Sequence, residues 1–109
     1  MHAFDVLGDP VRRRILELLA DGEQTSGAIT AVIRAEFGIS QPAVSQHLRV
    51  LKDGGLVVSR AEGTRRIYRL NPDGVTALRA YLDRVWEEAL TAFGKAAQSA
   101  PVDHEQEDQ

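Results

Sequence analysis

Residues 38–55 read Gly38-Ile39-Ser40-Gln41-Pro42-Ala43-Val44-Ser45-Gln46-His47-Leu48-Arg49-Val50-Leu51-Lys52-Asp53-Gly54-Gly55. Gly38 can take the left-handed conformation that ends a preceding helix. Ser40 follows as an N-cap, so a new helix begins almost at once. Val44, Leu48 and Leu51 recur at helical spacing and form one inward stripe. Pro42, Ser45, Gln46 and Arg49 are then turned outward, with Gln41 at the helix N-terminus. Gly54-Gly55 closes the segment. Two helices divided by a tight glycine turn make a helix-turn-helix.

Upstream, Asp9-Pro10 opens an earlier helix. The aspartate caps free N–H groups, and proline suits the first helical position. Val11, Ile15, Leu18 and Leu19 line one face of it, and Asp21-Gly22 ends it. Phe4, Val6 and Leu7 are read as a short helical turn before it. Thr25-Ser26 caps a helix whose stripe is Ile29, Val32, Ile33 and Phe37, stopped by Gly38. Downstream, Leu56-Val57-Val58 and Ile67-Tyr68-Arg69-Leu70 flank the turn Glu62-Gly63-Thr64, a β-hairpin pattern. Asn71-Pro72-Asp73 opens a long last helix with Val75, Leu78, Leu82, Val85, Trp86, Ala89, Leu90 and Phe93 on its apolar side. From Ser99 the chain is polar and acidic, without apolar periodicity. The expected organisation is a mainly α winged helix-turn-helix domain over 1–98, with a small β-hairpin wing and a disordered acidic tail over 99–109.

The chain has 109 residues and 43% hydrophobic content, enough for one compact core. It has no apolar run near the roughly 18 residues a membrane span requires, and no cationic-then-apolar leader, so a cytoplasmic location is expected. It has no cysteine, which removes disulfides, thiolate metal sites and cysteine nucleophiles. Net charge is -3, which alone speaks against a nucleic-acid partner. Its distribution speaks otherwise. Residues 40–70 carry six cations against two carboxylates, whereas both flanks are acidic. A basic middle can hold phosphate while acidic flanks limit indiscriminate binding.

The outward face of the third helix has the chemistry for a DNA major groove. Gln can pair with adenine N6 and N7, and Arg with guanine or phosphate. A hairpin tip with Thr64, Arg65 and Arg66 can reach the backbone or a minor groove. The stretches Leu7-Gly8-Asp9-Pro10-Val11-Arg12-Arg13-Arg14-Ile15-Leu16, Ser40 to Leu48, Gly54-Gly55-Leu56-Val57 and Glu62 to Leu70 together resemble the ArsR/SmtB family over about residues 4–90. That resemblance implies a bacterial homodimeric transcriptional regulator, usually a repressor that leaves its operator when an inducer binds. It places Gln41, Ser45 and Gln46 at recognition-helix contact positions. It also implies a dimer interface from the first and last helices. The candidate DNA-binding set is Ser40, Gln41, Ser45, Gln46, Arg49, Thr64, Arg65 and Arg66. The candidate dimer set is Phe4, Leu7, Leu82, Trp86, Leu90 and Phe93. The expected partner is a near-palindromic double-stranded operator.

Other features have plainer readings. Arg12-Arg13-Arg14 is read as the solvated face of a helix. His47 lies beside the apolar stripe and is read as a half-buried packing residue. Ser45 and His47 are two apart on a helix and point away from each other, and nothing else joins a nucleophile to a base, so no enzyme is expected. Family members that sense metals use a cysteine pair, or histidines and carboxylates on the last helix. This chain has Asp83, Glu87 and Glu88 there but no histidine. One alternative is therefore a regulator responding to nickel or zinc through a weak site using His2, His104 or the acidic residues. A second is a winged-helix protein-interaction module, which the basic 40–70 segment disfavours.

Overall fold

The computed structural model describes residues 3–99, and side chains from 5 to 94. The elements are α1 (Ala3–Val6), α2 (Pro10–Ala20), β1 (Gln24–Thr25), α3 (Ser26–Phe37), α4 (Gln41–Asp53), β2 (Val57–Glu62), β3 (Arg65–Leu70) and α5 (Pro72–Ser99). The chain divides into two compact units, Met1–Leu78 and Arg79–Gln109, with the division inside α5.

α2, α3 and α4 each start where a side chain satisfies free N–H groups. Asp9 accepts from the amides of Val11 at 2.7 Å and Arg12 at 3.4 Å. Thr25 accepts from Ala28 at 3.0 Å and Ser40 from Ala43 at 3.3 Å. Gly38 ends α3 in the left-handed region, φ 68°, where a side chain would be strained. The expected stripes meet in one core. Val11, Ile15 and Leu19 of α2 pack with Ile29 and Ile33 of α3, Val44, Leu48 and Leu51 of α4, and Val6, Leu56 and Val57. Phe37 departs from expectation. As the last residue of α3, beside the Gly38 turn, it is 37% exposed, and Val32 is only half-buried.

The sheet has three strands in the order β1-β3-β2, one more than the expected hairpin. β2 and β3 pair antiparallel from Val57 opposite Leu70 to Glu62 opposite Arg65. This narrows the turn to Gly63 and Thr64. Gly63 has φ 63°, the positive value that the first position of a tight hairpin turn requires. β1 adds Gln24 opposite Tyr68 and Thr25 opposite Ile67. Thr25 thus serves both the sheet and the α3 cap, and this brings the start of α3 beside β3.

The Gly54-Gly55 turn sits under the start of α5. The Asn71 side-chain amide donates to the Gly55 carbonyl at 3.0 Å, and its own oxygen accepts from the Asp73 amide at 3.2 Å. Gly74 packs so closely here that an added Cβ would lie 1.9 Å from the Gly55 carbonyl oxygen. Leu78 rests against the core. In the second unit, Leu82 is half-buried, whereas Trp86, Leu90 and Phe93 are exposed at 64%, 62% and 73%. Arg84 lies over the Tyr81 ring, 5.6 Å from its centroid. The tail expectation for 99–109 falls, beyond Ser99 itself, outside the described residues.

Candidate nucleic-acid interface

The outward side of α4 carries Gln41, Ser45, Arg49 and Lys52, spaced four, four and three residues apart, all exposed. That spacing aligns them along one helical face. Pro42, Gln46 and Asp53 are exposed beside it. A groove of about 710 Å³ separates this face from α3 and β3, lined by Ser26, Thr30 and Arg34 of α3, Gln41 and Ser45 of α4, and Arg66 and Tyr68 of β3, among others. A second groove of about 520 Å³ is lined by Ser45, Arg49, Lys52, Asp53, Arg66 and Tyr68. Ser45, Arg66 and Tyr68 form the ridge common to both.

Strand alternation decides which wing residues join this ridge. In the β2–β3 register, Arg66 lies opposite Ala61 and Tyr68 opposite Ser59, so these side chains share one face. Arg66 donates to the Ser59 hydroxyl at 3.2 Å. Arg65 falls on the other face and pairs with Glu62 at 3.2 Å. Arg60, also on that face, holds Glu23 bidentately at 2.7 and 3.0 Å. The adjacent arginines at the tip are therefore not equivalent. Arg66 faces the recognition helix and Arg65 faces a carboxylate. Thr64 is exposed in the turn itself.

The remaining expected residues divide clearly. Gln41 and Ser45 line the larger groove, and Ser45 and Arg49 the smaller. Gln46 is exposed on α4 and lines neither. Ser40 spends its hydroxyl on the Ala43 amide. Sequence reading passed over Thr30, Arg34, Lys52 and Tyr68. Lys52 had a signal, standing three residues after Arg49 on the same face. Tyr68 had one in its alternation with Arg66. Thr30 and Arg34 had none, because their placement depends on how α3 packs beside β3.

The arginine run of α2 is not a bare solvated face. Arg12 is half-buried; its Nε donates to the Val6 carbonyl at 2.7 Å, and a terminal nitrogen lies 3.4 Å from His47 Nδ1. Arg13 donates to the Leu7 carbonyl. Arg14 chelates Glu36 at 2.8 and 3.0 Å and also reaches Glu17. The run ties α2 to the end of α1, to α3 and to α4. His47 is half-buried, as expected. Hydrogen bonding to Arg14 and Arg60 holds Glu36 and Glu23, respectively, below the usual glutamate range. The same bonds raise both guanidinium pKa values further.

Among the described residues, no group of three or more His, Asp or Glu is placed to hold a metal ion. His2 and His104 lie outside the described residues, as does the Phe4 side chain. Leu7 is half-buried against the core. No described helix is long and apolar enough to cross a membrane.

A glycine-turned helix pair, with its second helix exposed beside a small antiparallel sheet, defines a winged helix-turn-helix DNA-binding domain. Residues 7–60 match the model of a helix-turn-helix domain family. The chain is 45% identical over 98 residues to the HTH-type transcriptional regulator Rv2034 of Mycobacterium tuberculosis, covering 90% of this chain and 88% of the relative. It is 40% identical to a crystal structure of a possible transcriptional regulator for arsenical resistance, with a TM-score of 0.72, covering 93% of this chain and 99% of that one. It is 38% identical to a homodimeric winged helix-turn-helix DNA-binding domain of Mycobacterium bovis, a possible ArsR-family regulator, with a TM-score of 0.60 and coverage of 81% and 78%. The chain belongs to the ArsR family of winged helix-turn-helix transcriptional regulators.

Proposed function

We propose that this chain acts in the cytoplasm as a non-enzymatic homodimer that binds a near-palindromic operator and represses transcription. The observation that carries the reading is the exposed face Gln41–Ser45–Arg49–Lys52 between two grooves, whose arginine and lysine side chains carry no ion pair among the described residues. Gln41, Ser45 and Gln46 read base edges, and Arg49 meets guanine or phosphate. Ser40 approaches the backbone at the helix start. Arg66 follows the backbone on the α4 side of the wing, and Thr64 and Arg65 reach the backbone or minor groove from the exposed tip. Residues 1–98 supply both DNA binding and dimerisation. Leu82, Trp86, Leu90 and Phe93 of α5, with Phe4 and Leu7, supply the dimer surface, in keeping with the homodimeric relative. Repression is the direction the family resemblance implies. A two-fold dimer sets its recognition helices about 34 Å apart, one turn of duplex.

Footprinting on DNA upstream of the protein's own gene tests this. The expected result is joint protection of two inverted half-sites about 10 base pairs apart, weakening steeply as salt rises. Binding that does not discriminate that region from random DNA would overturn operator recognition.

A further inference from the structure

We propose that the larger groove seats the DNA backbone, with Arg34, on the first helix of the helix-turn-helix, contacting one phosphate and Arg66 a second. The proposal rests on the DNA-binding reading and deepens it. Neither the recognition helix nor the wing tip contains Arg34; it is brought to the groove because β1 places α3 beside β3.

Among the described residues, ten line the groove, and two of them, Arg34 and Arg66, are cationic while none is acidic. Thr30, Ser26, Gln41, Ser45 and Tyr68 add polar groups that suit a phosphate oxygen. Elsewhere, Arg14, Arg60 and Arg65 are each neutralised by glutamates. The groove arginines are held by neutral partners instead. Arg34 donates from Nε to the Ile39 carbonyl at 3.2 Å, and Arg66 donates to the Ser59 hydroxyl.

Geometry adds to this. The Arg34 Nε bond fixes the guanidinium plane on the turn between α3 and α4. Its two terminal nitrogens have no hydrogen-bond partner among the described residues. A planar fork anchored at one edge and open at the other is pre-organised for bidentate contact with a phosphate. A purely structural role, bonding the turn carbonyl at the end of α3, accounts for Nε but leaves the terminal nitrogens idle. The first helix of a helix-turn-helix also crosses the duplex backbone, so a cation there is well placed to meet phosphate.

The test is the salt dependence of DNA binding by the full chain, on operator and random duplex, with melting temperature measured in parallel. Arg34→Gln is expected to reduce the slope of log K against log salt by about 0.9, one phosphate contact. Arg34→Lys keeps the charge and is expected to keep the slope. Adding Arg66→Gln to Arg34→Gln is expected to bring the reduction to about 1.8. Ala31→Glu sets a carboxylate at an exposed position on the same groove wall and decides the matter if Arg34→Gln fails to fold. It is expected to weaken binding to both duplexes severely. An unchanged slope in Arg34→Gln, or unimpaired binding by Ala31→Glu, would overturn the proposal while leaving DNA binding intact. Wild-type protein that binds no DNA would remove the underlying reading as well.

Discussion

Trp86 offers the most direct test of assembly. It is 64% exposed in the single chain, and Leu90 and Phe93 are exposed with it. A tryptophan side chain presents roughly 200 Å², so about 130 Å² of this one faces water. Covering it is worth about 3 kcal/mol at about 25 cal/mol per Å². A two-fold interface contains the residue twice, giving about 6 kcal/mol, or about four decades in the dimer constant. Alanine keeps part of the contact, and area overstates affinity in association. Trp86→Ala is therefore expected to weaken dimerisation by about 10²–10⁴-fold, and Trp86→Glu by more. Sedimentation velocity over a dilution series reads the constant, and circular dichroism confirms that the helices persist. Operator affinity should fall in parallel, because a monomer holds only one half-site. A dimer constant unmoved by Trp86→Ala, or a wild-type monomer at micromolar concentration, would refute the reasoning.

Gln46→Ala should cost about 1–3 kcal/mol of operator binding, relax preference at one base position and leave the melting temperature unchanged; binding-site selection on random libraries checks this. Gly74→Ala must displace the backbone at Gly55, since the added Cβ would lie 1.9 Å from its oxygen. A loss of about 1–3 kcal/mol or more is expected, lowering Tm by about 4–8 °C for each kcal/mol, and an unaltered melt would contradict this packing. The hydrogen bond from Arg14 depresses the Glu36 carboxyl in the folded state, so its stabilisation is present above the ordinary glutamate range and is lost as pH falls through the lowered value. Glu36→Gln should thus show a smaller drop in Tm on acidification than wild type; parallel acid melts would count against it.

What the sequence disclosed follows from the range of the forces involved. Caps at Asp9, Thr25 and Ser40 and the stops at Gly38 and Gly54 act within a few residues, so the helices were legible at their ends. The stripes of α2 and α4 were legible because one face meets one core. Phe37 was misplaced because period alone does not tell where a helix outruns its neighbours. β1 was missed because two residues carry no alternation, and Thr25 had already been explained as a cap. The Arg12-Arg13-Arg14 run looked solvated because its partners, the Val6 and Leu7 carbonyls and Glu36, are set by tertiary packing. Arg65 and Arg66 looked alike in sequence. Only the strand register separates the arginine beside Glu62 from the one beside Ser45.

The same register explains how a chain of net charge -3 can present a cationic surface. Glu36 and Glu17 are engaged by Arg14 on the α2–α3 side, and Glu23 and Glu62 by Arg60 and Arg65 on the sheet face that carries Arg65. Asp9 is consumed as a helix cap. These carboxylates are thus spent locally, and among the described residues Asp53 is the one acid lining either groove of the α4 face. Arg34, Arg49, Lys52 and Arg66 are left on carbonyl, hydroxyl or solvent. Surface ion pairs of this kind add little to stability, typically about 0–1 kcal/mol. Their larger effect here is to sort charge by face, so that attraction to a polyanion is confined to the surface that can also read its bases.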